Sequence, residues 1–279
     1  MRVNVLQQLA VPLVAIAGTL GLLIGSFLNV VVHRVPAGLS VVSPPSACPA
    51  CGHGIRGRDN IPVVSWLVLR AACRDCGSRI SARYPLVEAA TAVLFAVAAG
   101  LVIGRSAGTS SVTASITLVA MLYLLAVTVA LALIDIDTHR LPDRIVLPAY
   151  LVLGALLTGA SAASGDWGAL VRGIAGMAIL AVGYLTLALA VPGGMGMGDV
   201  KLAGVLGLVL AYLGWGPLAV GAFGGFALGA TFSIVLLVTR RVKRGGGIPF
   251  GPWMLAGAWL GICAGDQIWS AYLGLLGLS

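Results

Sequence analysis

Long apolar segments separated by short polar ones dominate the pattern of residues along the chain. Eight of these segments approach the roughly 20 residues that a helix needs to cross a bilayer. They cover residues 9–32, 84–104, 113–134, 144–163, 170–191, 199–215, 217–239 and 253–276. Glycine and proline interrupt the sixth and the eighth, whereas the third and fourth are the most clearly apolar. The pattern predicts an all-α, polytopic membrane protein with about eight transmembrane helices.

The composition supports this reading of the pattern. The 279 residues are 59% hydrophobic and 9% charged, whereas soluble proteins carry roughly 25% charged residues. The first apolar segment ends in Asn29, His33 and Arg34 without a cleavage site of small residues. It is therefore interpreted as a retained span and not as a signal peptide.

The net charge of +8 indicates orientation in the membrane and not nucleic-acid binding, because of where the basic residues lie. With the N-terminus outside, segments 33–83, 135–143, 192–201 and 240–252 face the cytoplasm. Of the 17 Lys and Arg residues, all but Arg2, Arg105 and Arg172 then fall in or beside these segments. The positive-inside rule predicts both termini outside, and the basic segments are expected to contact anionic lipid.

Four of the five cysteines form two CxxC pairs in the first predicted cytoplasmic segment. Cys48 and Cys51 form the first pair, and Cys73 and Cys76 form the second. Each pair is followed directly by a glycine that lets the backbone bend. Four thiolates at this spacing are typical of tetrahedral zinc, and a disulfide would need an oxidising compartment. The sequence predicts a small zinc-ribbon-like cytoplasmic loop with a structural metal, while a redox role for the thiols stays an alternative.

Two of the nine acidic residues stand out by their position at the ends of apolar segments. Asp135 directly ends the third segment, and Asp199 follows the glycine-rich stretch VPGGMGMG and opens the sixth. Ionisable groups at such depths are costly and usually functional. The charge distribution puts both at the cytoplasmic edge, where two carboxylates on neighbouring helices could share one proton and hydrolyse a peptide bond. The residues predict an intramembrane aspartic protease pair.

Other interpretations of these aspartates stay open. They could bind a cation or form salt bridges with Lys201 and Arg140, although a transporter usually places its acids near the midplane. Asp137 is the nearest competitor of Asp135, and position alone favours Asp135 because it directly ends the apolar segment.

Several blocks along almost the whole chain resemble one family, the bacterial type IV prepilin peptidases, also called leader peptidase/N-methyltransferases. Besides the paired CxxC motifs, the blocks are GSFLNVVVHRVP (residues 25–36), DNIPVVSWL (59–67), SARYPLVE (81–88), DIDTHRLPD (135–143), GMGMGDVKLAG (194–204) and IPFGPWMLAG (248–257). The resemblance implies an enzyme of the bacterial cytoplasmic membrane with its active site at the cytoplasmic face. Its substrates would be prepilins or pseudopilins, cut after a short basic leader by Asp135 and Asp199.

The resemblance further implies N-methylation of the new N-terminal residue, usually Phe, with S-adenosylmethionine as methyl donor. Residues 1–105 are then expected to form the methyltransferase part, and residues 106–279 a six-span peptidase domain. No strand–GxGxxG–helix unit that would hold the donor is recognisable, so its binding residues are unknown from the sequence. Gly25, Asn29, Arg34 and Glu88 are candidates by position, and helix packing explains the first two equally well. A peptidase without methyltransferase activity stays an alternative.

Overall fold

The computed structural model describes residues 5–191, 194–239 and 249–277 of the chain. Gly193, Ile248 and the basic residues at 240–244 therefore lie outside the described residues. The described ranges contain ten α-helices: α1 (Val5–Gln8), α2 (Ala10–Arg34), α3 (Val64–Val68), α4 (Arg83–Arg105), α5 (Ser111–Thr138), α6 (Asp143–Ser164), α7 (Trp167–Ala190), α8 (Met197–Leu213), α9 (Trp215–Val238) and α10 (Gly251–Leu275).

The eight longer helices coincide with the eight apolar segments, so the all-α membrane fold is confirmed. Among the described helices, six are long and apolar enough to span a membrane, namely α2, α4, α5, α6, α7 and α9. With 17 residues, α8 is about 25 Å long, shorter than the roughly 30 Å of a bilayer core. The count of eight spans stays a prediction.

The chain divides into two compact units. The first comprises Met1–Ala114 and Met121–Ala130, and the second Ser115–Ala120 and Leu131–Ser279. In the first unit, α2 packs along α4 because glycines allow the two backbones to approach closely. A Cβ on Gly21 would lie 2.7 Å from the Cα of Ala92, and one on Gly25 would lie 2.7 Å from the Cα of Glu88.

Helix α8 is the central element of the second unit. It packs against α6, α7, α9 and α10, and every residue from 202 to 211 is buried. A helix that is apolar on all sides is expected to be surrounded by other elements. The α7–α8 contact is so close that a Cβ on Gly207 would overlap the backbone of Gly176. This packing fixes the position of Asp199, which lies in the first turn of α8.

Arg172, one of the three basic residues that the charge distribution places outside, caps the other end of α8. Its guanidinium donates hydrogen bonds to the carbonyl oxygens of Ala211 (2.6 Å) and Tyr212 (2.7 Å). The last carbonyls of a helix have no partner within the helix, and a cation beside them is favourable. This contact with the end of α8 explains why Arg172 occurs outside the predicted cytoplasmic segments.

Candidate active site and metal centre

Asp135 lies in the last turns of α5 and is 5% exposed. Its Oδ2 accepts a hydrogen bond of 3.0 Å from the backbone N–H of Gly251, the residue at which α10 begins. The first N–H groups of a helix lack partners within the helix, and the helix dipole favours an anion there. The start of α10 therefore holds one carboxylate oxygen of Asp135 in a fixed position.

Gly251 leaves no room for a side chain at this contact. A Cβ built on it would lie 2.7 Å from Oδ2 and 3.3 Å from Cγ of Asp135. Gly251 lies in the block IPFGPW, in which the sequence alone suggests no role for this glycine. The only local signal for this contact is a glycine directly before a proline at the start of a helix. The residue that Gly251 contacts, Asp135, lies 116 positions earlier in the chain.

Asp199 is the third residue of α8, and its Oδ2 accepts a hydrogen bond of 3.2 Å from the backbone N–H of Gly196. The neighbouring Gly198 packs against Leu141, where a Cβ would lie 2.9 Å from the Cβ of that leucine. The carboxylates of Asp199 and Asp135 are close enough for their charges to interact. The structure thus brings together the two acids that the sequence singled out.

An aromatic cluster lies next to this pair. Tyr184 of α7, which is 5% exposed, lies near Asp199. Its ring centroid is 5.3 Å from that of Phe226 and 6.4 Å from that of Phe250. Phe250 directly precedes Gly251, so the cluster joins the surroundings of both aspartates. Sequence reasoning missed these aromatic residues because they lie far apart along the chain.

The other charged residues near the pair are arranged differently. Asp137 is exposed, whereas Asp135 is buried. The Nζ of Lys201 lies 2.8 Å from each carboxylate oxygen of Asp143. Lys201 therefore pairs with the acid that opens α6 and not with Asp135 or Asp199.

The four predicted metal ligands converge in the loop between α2 and α4. The Sγ atoms of Cys48, Cys51, Cys73 and Cys76 all lie within 4.8 Å of one another. Cys48 Sγ and Cys76 Sγ are 3.8 Å apart, which matches the roughly 3.8 Å edge of a tetrahedron with Zn–S bonds of about 2.3 Å. The donor set and its spacing fit a tetrahedral zinc ion.

The two cysteine pairs have the same backbone geometry. In each, the glycine after the second cysteine donates its N–H to the carbonyl of the first, at 2.9 Å for both Gly52 to Cys48 and Gly77 to Cys73. These glycines have φ values of 74° and 70°, a region that favours glycine. The predicted bend is confirmed at both positions.

Hydrogen bonds and burial shift the pKa values of three of these thiols in different directions, and that of Cys51 is raised to about 12 by burial and by the neighbouring thiols of Cys76 and Cys48. The pKa of Cys48 is lowered to about 6 because the Ser78 side chain and backbone amides form hydrogen bonds with its sulfur. The same serine lowers the pKa of Cys76. Thiolates are the form that binds metals, so two of the four ligands are already biased towards it.

The four positional candidates for a methyl-donor site separate into two places. Gly25, Asn29 and Glu88 lie where α2 meets α4: Gly25 packs against the backbone of Glu88, and Asn29 Nδ2 donates to the carbonyl of Tyr84 at 3.2 Å. Arg34 instead donates to the carbonyl of Ser40 at 3.0 Å, in the loop that follows α2. Helix packing alone accounts for the glycine.

Comparisons with known proteins agree with the pattern of motifs. Residues 19–102 match the family described as "Bacterial Peptidase A24 N-terminal domain", and residues 122–234 match the "Type IV leader peptidase family". Proteins described as prepilin leader peptidase/N-methyltransferase are similar over most of their length. One from Aeromonas hydrophila is 38% identical over 90% of this chain and 91% of its own length. One from Pseudomonas aeruginosa is 38% identical over 92% of each chain, and one from Stutzerimonas stutzeri 36% over 91% of each.

No solved structure matches the chain. The family assignment therefore depends on sequence. The two family matches together cover more than half of the 279 residues, and the curated relatives cover nine-tenths of the chain or more. This chain belongs to the type IV leader peptidase family.

Proposed function

We propose that this protein removes the basic leader of prepilins or pseudopilins and then methylates the new N-terminal amine. The observation that carries the proposal is the pairing of Asp135 with Asp199 across three helix ends, in a chain whose relatives are described as leader peptidase/N-methyltransferases. Asp135 is held by the start of α10, and Asp199 by the backbone before α8. Both carboxylates are therefore positioned by backbone amides and not by flexible side chains.

Peptide hydrolysis by this pair needs no covalent intermediate. Two close carboxylates repel each other when both are ionised, so the pair holds one shared proton. The ionised carboxylate takes a proton from a water molecule as the water oxygen attacks the scissile carbonyl. The protonated carboxyl group donates to the carbonyl oxygen as charge develops there. When the tetrahedral intermediate breaks down, the proton taken from water passes to the leaving amine, and a hydroxyl proton of the intermediate returns to the other carboxylate.

The distribution of basic residues along the chain supports an active site at the cytoplasmic face. A substrate leader that carries Lys or Arg stays in the cytoplasm by the same charge asymmetry that orients the enzyme. Asp135 at the end of one predicted span and Asp199 at the start of another then lie where the leader joins the substrate's apolar segment. Both termini of the enzyme would lie on the opposite side of the bacterial cytoplasmic membrane.

The N-terminal part is assigned to methyl transfer. We place the division between residues 105 and 106, and the two separate family matches, which end at 102 and begin at 122, support it. Cys48, Cys51, Cys73 and Cys76 would hold a structural zinc ion. S-adenosylmethionine would supply the methyl group on a positively charged sulfur, and the contact of α2 with α4 around Asn29 and Glu88 is the candidate region for the reaction.

Two alternatives make different predictions. A peptidase without methyltransferase activity would leave an unmodified N-terminus on the cleaved substrate. A cation transporter that uses the same aspartates would leave the leader in place. The described geometry favours the peptidase over the transporter, because both acids are at helix ends and the charge of Asp135 acts on Asp199.

Coexpression with a prepilin tests the peptidase. We expect wild-type protein to remove the leader, Asp135→Asn and Asp199→Asn to abolish removal, and Asp137→Asn to leave most of it intact. The products are compared by mass spectrometry. The same measurement detects methylation, because replacing one hydrogen by a methyl group adds about 14 Da to the new N-terminus. Leader removal by either Asp135→Asn or Asp199→Asn at the wild-type rate would exclude the proposed pair.

A further inference from the structure

Glu88 is a buried carboxylate to which the peptidase chemistry gives no role. It lies in the second turn of α4 and is 8% exposed. Its Oε2 accepts a hydrogen bond of 2.7 Å from the backbone N–H of Val63. Arg56 pairs with Asp75, Arg74 with Asp59 and Lys201 with Asp143, and none of these three salt bridges includes Glu88.

A strained turn presents the N–H that binds Glu88. Val63 has φ 61° and ψ −48°, and the N–H of Val64 donates to the carbonyl of Pro62 at 2.6 Å. This is a γ-turn of the rare form with positive φ. Such a conformation is costly for a β-branched residue, and it persists where the surroundings enforce it, often at functional sites.

The surroundings of the turn do enforce it. The hydroxyl of Ser65 accepts a hydrogen bond from the N–H of Ile61 (2.9 Å) and donates one to the carbonyl of Arg58 (3.1 Å). The Arg74 guanidinium, between the two cysteines of the second pair, forms a two-point contact with Asp59. The loop that carries the four cysteines therefore stabilises the turn whose N–H binds Oε2 of Glu88.

The second oxygen of Glu88 is left open. Every fully buried side-chain oxygen or nitrogen in the described residues has a hydrogen-bond partner. Because no hydrogen bond to Oε1 is found among the described residues, this oxygen is not fully buried. An anion that is largely withdrawn from water and keeps one open oxygen is a binding site for a cation that can donate a hydrogen bond. Asp59 and Asp143, whose charges are already paired, cannot offer the same site.

We propose that Glu88 binds the α-ammonium group of the cleaved substrate and accepts the proton which that group must lose before it is methylated. The assignment rests on the methyltransferase function proposed above. The strained turn then has a role in the reaction, because the Val63 N–H holds Oε2 of Glu88 and leaves Oε1 to face the incoming amine.

The chemistry balances with this single acceptor. One N–H proton passes from the ammonium group to Oε1 of Glu88, which leaves a neutral amine with a free lone pair. That lone pair forms the new N–C bond to the transferred methyl carbon, and the electron pair of the broken S–C bond goes to the donor's sulfur, which becomes a neutral thioether. The product is a secondary ammonium, and the proton on Glu88 returns to solvent.

Peptide binding without the methyl donor tests the assignment directly. The probe is a synthetic peptide with the N-terminal sequence of a cleaved substrate, made with a free or an acetylated α-amine. In full-length enzyme in detergent, loss of a charge-assisted hydrogen bond predicts that the free amine binds roughly tenfold tighter or more than the acetylated one. Glu88→Gln, which keeps an oxygen for the Val63 N–H, should abolish this preference. Asp266→Asn, which removes the charge of an exposed acid, should retain it.

Methylation of the same free peptide is the second readout. Loss of a general base predicts a decrease of about 10² in the rate near pH 7 for Glu88→Gln, with recovery at alkaline pH where the amine is neutral without help. Glu88→Asp, which keeps the carboxylate, should retain part of the preference for the free amine and part of the methylation rate. This variant therefore separates loss of the carboxylate from a general loss of folding in Glu88→Gln. Zinc content and thermal unfolding report the fold of each variant.

The outcomes separate the two proposals. Equal preference for the free amine and equal methylation by wild-type, Glu88→Gln and Glu88→Asp proteins would overturn the role of Glu88 and leave the methyltransferase function standing. A wild-type enzyme that does not methylate the cleaved peptide would overturn the methyltransferase function and the inference with it.

Discussion

Replacing Gly251 by alanine places a methyl group against the carboxylate of Asp135. The added Cβ would lie 2.7 Å from Oδ2, about 0.7 Å closer than the 3.4 Å at which ordinary contact begins. The neighbouring Leu141 side chain, 3.3 Å from the same Cβ, limits movement in that direction. The carboxylate must therefore shift, and its 3.0 Å hydrogen bond to the Gly251 N–H is lengthened or lost.

The size of the effect follows from the displacement. A misplacement of about 1 Å in a catalytic arrangement costs roughly 10²-fold in rate, which corresponds to about 2.7 kcal/mol of transition-state stabilisation. We expect Gly251→Ala to lower kcat for leader removal by this factor and to change KM little, because the substrate contacts are left in place.

The assay measures initial rates of leader removal by purified enzyme with a membrane-inserted prepilin as substrate. Gly154→Ala is the matched control, because Gly154 lies within α6 and a Cβ there meets nothing within 4 Å. Methylation of a previously cleaved peptide provides a second control, since that activity is assigned to the N-terminal part. Cleavage by Gly251→Ala within threefold of the wild-type rate would refute the idea that the start of α10 positions Asp135.

Three further predictions concern packing, metal and charge. Gly207→Val should lower the thermal stability of detergent-solubilised protein by about 1–3 kcal/mol or more through overpacking, whereas Gly183→Ala, where a Cβ meets nothing, should leave it nearly unchanged; equal melting temperatures would contradict the close helix contact. Cys48→Ser, or removal of metal by a chelator, should lower the bound zinc from one ion per chain, as measured by elemental analysis, and loosen the loop. Arg74 holds the pKa of Asp59 below its usual value, so their contact stabilises the loop above about pH 4 and is lost as the pH falls through the lowered pKa. The difference in amide hydrogen exchange of the loop between wild type and Asp59→Asn should therefore be large at pH 7 and shrink under acid, and a difference independent of pH would argue against this pair.

The sequence alone was sufficient for those features that depend on neighbours in the chain. Apolar segments long enough to span a bilayer predicted the helices, because in lipid each backbone polar group must be satisfied within its own segment. Two CxxC pairs, each followed by a glycine, predicted the cluster of thiols and its bends. Asp135 and Asp199 stood out because acids are rare in so apolar a chain.

The tertiary structure decided what depends on contacts between distant segments. Asp135 and Asp137 are two positions apart, about 200° around a helix, and packing alone determines that Asp135 is buried against Gly251 while Asp137 is exposed. The same holds for α8, whose apolar sequence resembled an ordinary span but whose burial on all sides makes it the central helix of its unit. It also holds for Glu88, whose partner is an amide in a strained turn 25 positions earlier. Local patterns specify which helices form, whereas the orientation of each functional side chain depends on which backbone the fold brings against it.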